Sequence, residues 1–160
     1  MPWSKKTMAL IGISLSMNNP QWRPRNETEE DLRHETNAAL AVANRFGCAV
    51  TKLSEALYHI DWVISRDGAI TAVAEYKRRK NSVDAYPTLL LSAAKWKKGM
   101  DYAELFGVPF ILFVEWDEGL YYLKAERSSV VRFEVGGNSR GQNGDYEPLV
   151  HLNIAHFVRA

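Results

Sequence analysis

At 160 residues with 46% apolar side chains, the chain has material for one core of mixed helices and strands, and its composition excludes a disordered polymer. A formal charge of +1 excludes an overall basic field as the source of any nucleic-acid affinity, which must come from local clustering of cations. The lone Cys48 excludes an internal disulfide; it suits a reducing cytoplasm and, just after Gly47 in an apolar context, reads as a small packed side chain.

The opening MPWSKKTMALIGISLSMNNP has the lysine-then-apolar order of a signal peptide, but its apolar run is short and its small-residue site poor. Residues 7–17 are therefore expected to form a buried strand or helix, and no stretch is long enough to span a bilayer. Trp22, Arg23 and Arg25 fall in a loop, where Trp22 packs or the cluster touches nucleic acid. The spacing predicts a helix over 27–47, with Asn26 as its cap, acids in its first turn, an apolar stripe of Leu32, Ala39, Val42, Ala43 and Phe46, and Gly47 ending it. Residues 48–53 read as a short strand. Two β-rich runs, 57–65 and 69–77, flank 66-RDG-68, a hairpin signal. A second amphipathic helix is expected over 88–107, then a continuous apolar strand over 108–116 of the kind buried on both faces. A turn at 117-DEG-119 leads into 120–125, and two further strand candidates, 130–135 and 149–157, are separated by a Gly-rich segment. No repeat or linker divides the chain, so residues 1–160 are expected to form one domain, with a core over about 27–125 and a C-terminal β extension over about 126–160. The element order implies an α/β layer with helices covering a mixed central sheet and an extra C-terminal β-hairpin.

The chemistry concentrates in 74-AEYKRRKN-81. Side chains two apart on a strand share a face, so Glu75 and Lys77 point one way and Tyr76 the other. Asp61 on the preceding strand joins them only if the hairpin has the right parity. A two-residue loop would set it opposite Ala74; a three-residue loop at Arg66, Asp67 and Gly68 would pair it with Val73 and put Glu75 diagonally on the same face. The trio therefore requires an odd loop or a bulge. Given that geometry, Asp61 and Glu75 offer hard oxygen ligands suited to Mg²⁺ or Mn²⁺. Such an ion polarises a phosphoryl group and acidifies a bound water, while Lys77 positions that water or stabilises charge on phosphorus.

Asp61, thirteen intervening residues, then Glu75-Tyr76-Lys77 resembles the signature of the PD-(D/E)XK nuclease superfamily, particularly its Holliday-junction-resolvase-like and VRR-NUC-like branches, over residues 28–115. The resemblance implies a restriction-endonuclease-like core and a metal site on the D and ExK strands at Asp61, Glu75 and Tyr76. It also implies a further acid on the first helix, where Glu35 fits with Glu30 and Glu29 as fallbacks, and a basic residue on the helix after ExK, where Lys95 fits with Ser92 one turn earlier. Where that family has proline before the aspartate, this chain has His59-Ile60. A bare ExK also arises as a solvated strand end with a weak surface pair; the surrounding acids, helix and apolar strand in family order are what distinguish the two.

Arg78, Arg79 and Lys80, with Lys98 on the next helix, are the expected phosphate contacts, the alternative being a solvated cationic face. His34, His59, His151 and His156 lack zinc-ligand spacing. The segment 136-GGNSRGQNG-144 has no following GK[ST]; it reads as a hairpin tip from which Arg140 could reach DNA or a partner. The implied function is an Mg²⁺-dependent DNA endonuclease, with Glu35, Asp61, Glu75, Lys77 and Lys95 as catalytic residues and a homodimer addressing two strands. The competing readings are a noncatalytic DNA-binding or assembly protein on the same scaffold and an RNA-directed nuclease.

Overall fold

In the computed structural model the described residues are 28–52, 60–136 and 147–160. The expectations for residues 7–17, for Trp22, Arg23, Arg25, His59 and Arg140, and for the Gly-rich tip fall outside them. Helix α1 (Glu29–Phe46) is capped by Thr28 rather than Asn26. The Asp31 N–H donates to Thr28 Oγ1 at 3.2 Å and the Thr28 N–H to Asp31 Oδ2 at 3.1 Å, a reciprocal pair that satisfies two donors of the first turn. Gly47 ends the helix in the left-handed conformation, as expected. The buried face differs from the expected stripe: Glu35, Ala38 and Val42 are buried, and Leu32 is exposed.

Strands β1 (Ala49–Lys52), β2 (Trp62–Arg66) and β3 (Ala69–Arg78) follow as an antiparallel meander. After β3 the chain forms β4 (Thr88–Ser92), α2 (Ala93–Phe106), β5 (Phe110–Trp116) and β6 (Gly119–Lys124), then β7 (Val130–Gly136), β8 (Glu147–Asn153) and the short β9 (Val158–Arg159). Six strands make a mixed sheet in the order β1-β2-β3-β5-β6-β9, in which β3 and β5 are parallel and the other pairs antiparallel. The expected C-terminal hairpin is β7–β8, and β4 joins it in a second, three-stranded sheet ordered β4-β8-β7.

Placing a helix over 88–107 is corrected in its first five residues. Thr88–Ser92 is extended and pairs with β8, with Leu89 and Leu91 buried on one side of it. Three successive leucines satisfy a helical stripe as readily as a strand, and the pairing partner lies some sixty residues ahead. Helix α2 proper ends at Gly107, as expected.

The main sheet is covered on both sides. On one, Ala38 and Val42 of α1 pack against Trp62, Ile64, Ala72, Ala74 and Phe113. On the other, Trp96 of α2 and Leu89, Leu91, Val150 and Leu152 of the second sheet pack against Val73, Leu112 and Val114. Each fully buried valine, leucine, isoleucine or phenylalanine among these contributes about 1.5–3 kcal/mol. Gly99 lets α2 approach closely: a Cβ there would stand 2.4 Å from the Phe110 ring. Alternation along β3 thus sends Ala72, Ala74 and Tyr76 toward α1, and Val73, Glu75 and Lys77 toward α2.

Candidate active site

The β2–β3 hairpin decides whether an acid from β2 meets the acid and lysine of β3. It turns through two residues, Asp67 (φ 51°) and Gly68 (φ 77°), with Arg66 opposite Ala69. Both lie in the left-handed region, the requirement of the two-residue turns that match strand twist. The expected three-residue loop is therefore absent, and a bulge corrects the parity instead: Ser65 pairs with Ile70, but Ile64 pairs with Ala72, leaving Thr71 as the extra residue. Beyond the bulge Val63 faces Val73 and Trp62 faces Ala74, which brings Asp61 level with Glu75 rather than diagonal to it.

Asp61 anchors itself at this level by accepting the Tyr76 N–H on Oδ2 at 2.9 Å. Glu75 is 2% exposed, and one of its oxygens, Oε1, accepts from Lys95 Nζ of α2. Lys95 Nζ also lies 4.0 Å from Asp61 Oδ1, so the helix lysine faces both carboxylates. Burial, reinforced by the Asp61 charge and only partly offset by Lys95, pushes the Glu75 carboxyl up to about 8. Among the described residues, Glu75 Oε2 is the buried side-chain oxygen with no hydrogen-bond partner. Lys77 shares the strand face of Glu75; burial, with help from Arg79 and Lys95, pulls its ammonium group down to about 8, while Glu75 and Glu147 act in the opposite sense.

Glu147 is the residue that sequence reasoning missed. It begins β8, seventy positions after Lys77, and accepts the Ser92 hydroxyl on Oε2 at 2.8 Å. Ser92 stands at the N-terminus of α2 without capping it. The second sheet so delivers another carboxylate within electrostatic reach of Lys77. No local spacing signals it, because the pairing of β4 with β8 is what brings it in.

Glu35, the first-helix acid that the resemblance implies, lies apart from the trio. It is buried on the α1 side, accepting from Trp62 Nε1 at 2.9 Å on Oε1 and from Lys52 Nζ on Oε2. Trp62 follows Asp61 directly and points to the other face, where it stacks on Tyr76 with ring centroids 5.4 Å apart. The Tyr76 hydroxyl donates to Glu115, which also takes His34 Nδ1 at 3.0 Å. The Tyr76 side chain is thus committed to the α1 face, and only its main chain borders Asp61. Burial and Glu115 push its phenol up. The fallback Glu30 is exposed and pairs with Arg78 at 3.1 Å, while Glu29 is exposed in the first turn.

The expected cationic row divides by parity as well. Arg78 faces α1 and is occupied by Glu30. Arg79 lies on the Lys77 side, its guanidinium donating to the Leu90 carbonyl at 3.0 Å. Lys80 and Lys98 are exposed.

Among the described residues no three His, Cys, Asp or Glu side chains form a ready metal cage. The two carboxylates at the hairpin nevertheless fit a hard divalent cation, which keeps much of its water shell and needs few protein oxygens. A buried carboxylate oxygen without a donor is what such an ion would satisfy.

An αβββ unit followed by a helix and a parallel strand, with the aspartate immediately before its second strand and ExK on its third, defines the PD-(D/E)XK nuclease fold. The Holliday junction resolvase Hjc of the archaeal hyperthermophile Archaeoglobus fulgidus shares it: TM-score 0.53 over 77% of this chain and 94% of the resolvase, at 14% identity. No curated protein matches the sequence significantly. Residues 21–160 match the family described as "Phage putative PDDEXK endonuclease", and the chain belongs to that phage PDDEXK endonuclease family.

Proposed function

We propose that this protein is a divalent-metal-dependent deoxyribonuclease that hydrolyses internal phosphodiester bonds of DNA. The observation that carries the reading is the meeting of Asp61, Glu75 and Lys95, with Lys77 on the same strand face and Glu75 Oε2 without a donor among the described residues. Asp61 and Glu75 would hold Mg²⁺ or Mn²⁺, which supplies Lewis-acid polarisation of a phosphoryl oxygen and a more acidic bound water.

The rest of the chemistry belongs to the chain. Lys77 points from β3 toward the same space and orients the attacking water or stabilises the charge that develops on the phosphorane oxygens. Lys95 holds Glu75 and Asp61 in place from α2 and offers a second cation to the phosphate. The short Asp61–Tyr76 link fixes the aspartate against main chain, so its orientation does not depend on the substrate. Lys80 and Lys98 extend the positive surface for the polymer backbone.

The test is cleavage of supercoiled, linear, branched and single-stranded DNA in Mg²⁺, Mn²⁺ or EDTA by wild type, Glu75→Ala and Lys77→Ala. Cutting that needs the metal and both side chains supports the reading. Equal cutting by either variant removes the site assignment, and binding without cutting under every condition leaves a noncatalytic scaffold.

A further inference from the structure

A second feature opens beside the proposed catalytic face. Beyond the end of β3 the backbone continues extended, the Arg79 N–H donating to the Glu115 carbonyl at 2.8 Å. Arg79 therefore follows Lys77 on the same side, about 7 Å farther along the strand. There it enters the wall of a cleft of about 510 Å³, within the ~300–1,000 Å³ of small-ligand sites.

The cleft is built from three kinds of surface. Its walls are largely apolar, with Trp116 among them, and at its mouth stands Tyr86, 66% exposed although it is a large aromatic. Its polar floor is the buried His151, whose Nδ1 meets Thr88 Oγ1 at 2.9 Å and whose Nε2 meets Glu134 at 3.0 Å. Two guanidinium groups flank it, each with one terminal nitrogen engaged by the protein: Arg79 from the catalytic strand donates to the Leu90 carbonyl at 3.0 Å, and Arg132 from β7 pairs with Glu134 at 3.0 Å and lies 3.2 Å from His151 Nε2. An aromatic face, a polar floor and cations at the rim match, in turn, the π-face, the edge and the phosphate of a nucleotide. A paired base stays in its stack, so a concave site of this kind admits only a nucleotide free of its partner.

We propose that the Tyr86–Arg79–Arg132 cleft binds an unpaired nucleotide of the DNA, next to the phosphate presented to Lys77 and Glu75. The subsite deepens the DNA-cleavage reading and rests on it for the identity of the polymer. It makes the protein select DNA at single-stranded tails, branches or bubbles over uninterrupted duplex. Tyr86 supplies the stacking platform, and the N–H groups that Leu90 and Glu134 leave on the two arginines face the flanking phosphates.

The experiment reads binding apart from cutting. Wild type, Tyr86→Ala and Tyr86→Phe are titrated in EDTA against a duplex carrying a short single-stranded tail with 2-aminopurine in it, and against the blunt duplex. Wild type is expected to quench the tail fluorophore and to prefer the tailed DNA. Tyr86→Ala should lose about 5- to 100-fold in affinity for it, the effect of removing one base-stacking ring, while Tyr86→Phe, which keeps the ring, stays within about twofold. Absence of quenching by wild type, or equal affinity of Tyr86→Ala, overturns the subsite even if the protein cuts DNA. Quenching lost only in Tyr86→Ala upholds it even if no cutting occurs, in which case hydrolysis alone fails.

Discussion

Two glutamates lie buried on opposite faces of one sheet, and they differ in how their oxygens are satisfied. Glu35 has a donor for each oxygen, the Trp62 indole and the Lys52 ammonium group, and it ties α1 to β1 and β2. Glu75 has a lysine on one oxygen, no hydrogen-bond partner among the described residues on the other, and an aspartate beside it. A buried carboxylate with both oxygens satisfied rigidifies the packing around it; one with an unsatisfied oxygen beside a second carboxyl group is costly, and persists where a ligand completes it. Both residues are acids in amphipathic contexts, so sequence alone gives them similar standing. What distinguishes them is the partner each face supplies.

The contrast can be broken most strongly at the level of activity. Glu75→Ala and Lys77→Ala should each lower single-turnover DNA cleavage at least about a hundredfold, the usual consequence of removing a group that acts on the transition state. Glu35→Ala should instead lower stability by about 1–3 kcal/mol in urea titration, the cost of an unpaired buried indole N–H and a lost ion pair whose lysine is partly solvated. Its cleavage rate per folded molecule should remain within about tenfold of wild type. A hundredfold loss in Glu35→Ala with unchanged stability would reverse the assignment of the two residues.

Packing beneath the site offers a third test. Gly99→Ala forces a methyl group into the Phe110 ring and should cost about 1–3 kcal/mol, read by thermal melting. Because α2 carries Lys95, the same substitution should weaken cleavage; a variant equally stable and equally active would show that the α2–β5 contact does not set the site. The smallest effect is a pH dependence. A carboxyl held at about 8 in the folded chain, against an ordinary value of 4.5, keeps a proton that the unfolded chain gives up. Folded-state proton binding then exceeds that of the unfolded state between these values, so the metal-free protein loses stability as pH rises from about 4.5 to 8. Glu75→Gln removes this contribution and should melt several degrees above wild type at pH 8 in EDTA, at about 2–4 °C per kcal/mol, with a smaller difference at pH 5. Added Mg²⁺ should narrow the gap by stabilising wild type. An identical pH profile in both proteins would show that Glu75 is ionised and satisfied without metal.

Much of this arrangement was legible in the chain itself. Alternation placed Glu75 and Lys77 together and Tyr76 apart, and hairpin parity showed that Asp61 needed a loop of odd length or a bulge. The particular device, a bulge at Thr71 beside a two-residue Asp67-Gly68 turn, was not legible, because either device restores the same parity. The strand at Thr88–Ser92 was hidden by three leucines that suit both periods and by a partner strand far ahead. The partners of Glu35 were hidden for a related reason: helical spacing gives the face of α1 but not which strand side chains it meets, and the Trp62 indole reaches the carboxylate. Glu147 could not be found by any local pattern, since a long-range pairing delivers it. What was missed is therefore what only tertiary contacts decide.

The central claim is that Asp61 and Glu75, rather than Glu35, hold the cation. Mn²⁺ binding measured by calorimetry on wild type, Asp61→Asn, Glu75→Gln and Glu35→Gln tests it directly. Loss of the ion in the first two variants, with Glu35→Gln binding as wild type does, is the predicted result. Retention by the Asp61 and Glu75 variants with loss in Glu35→Gln would contradict it.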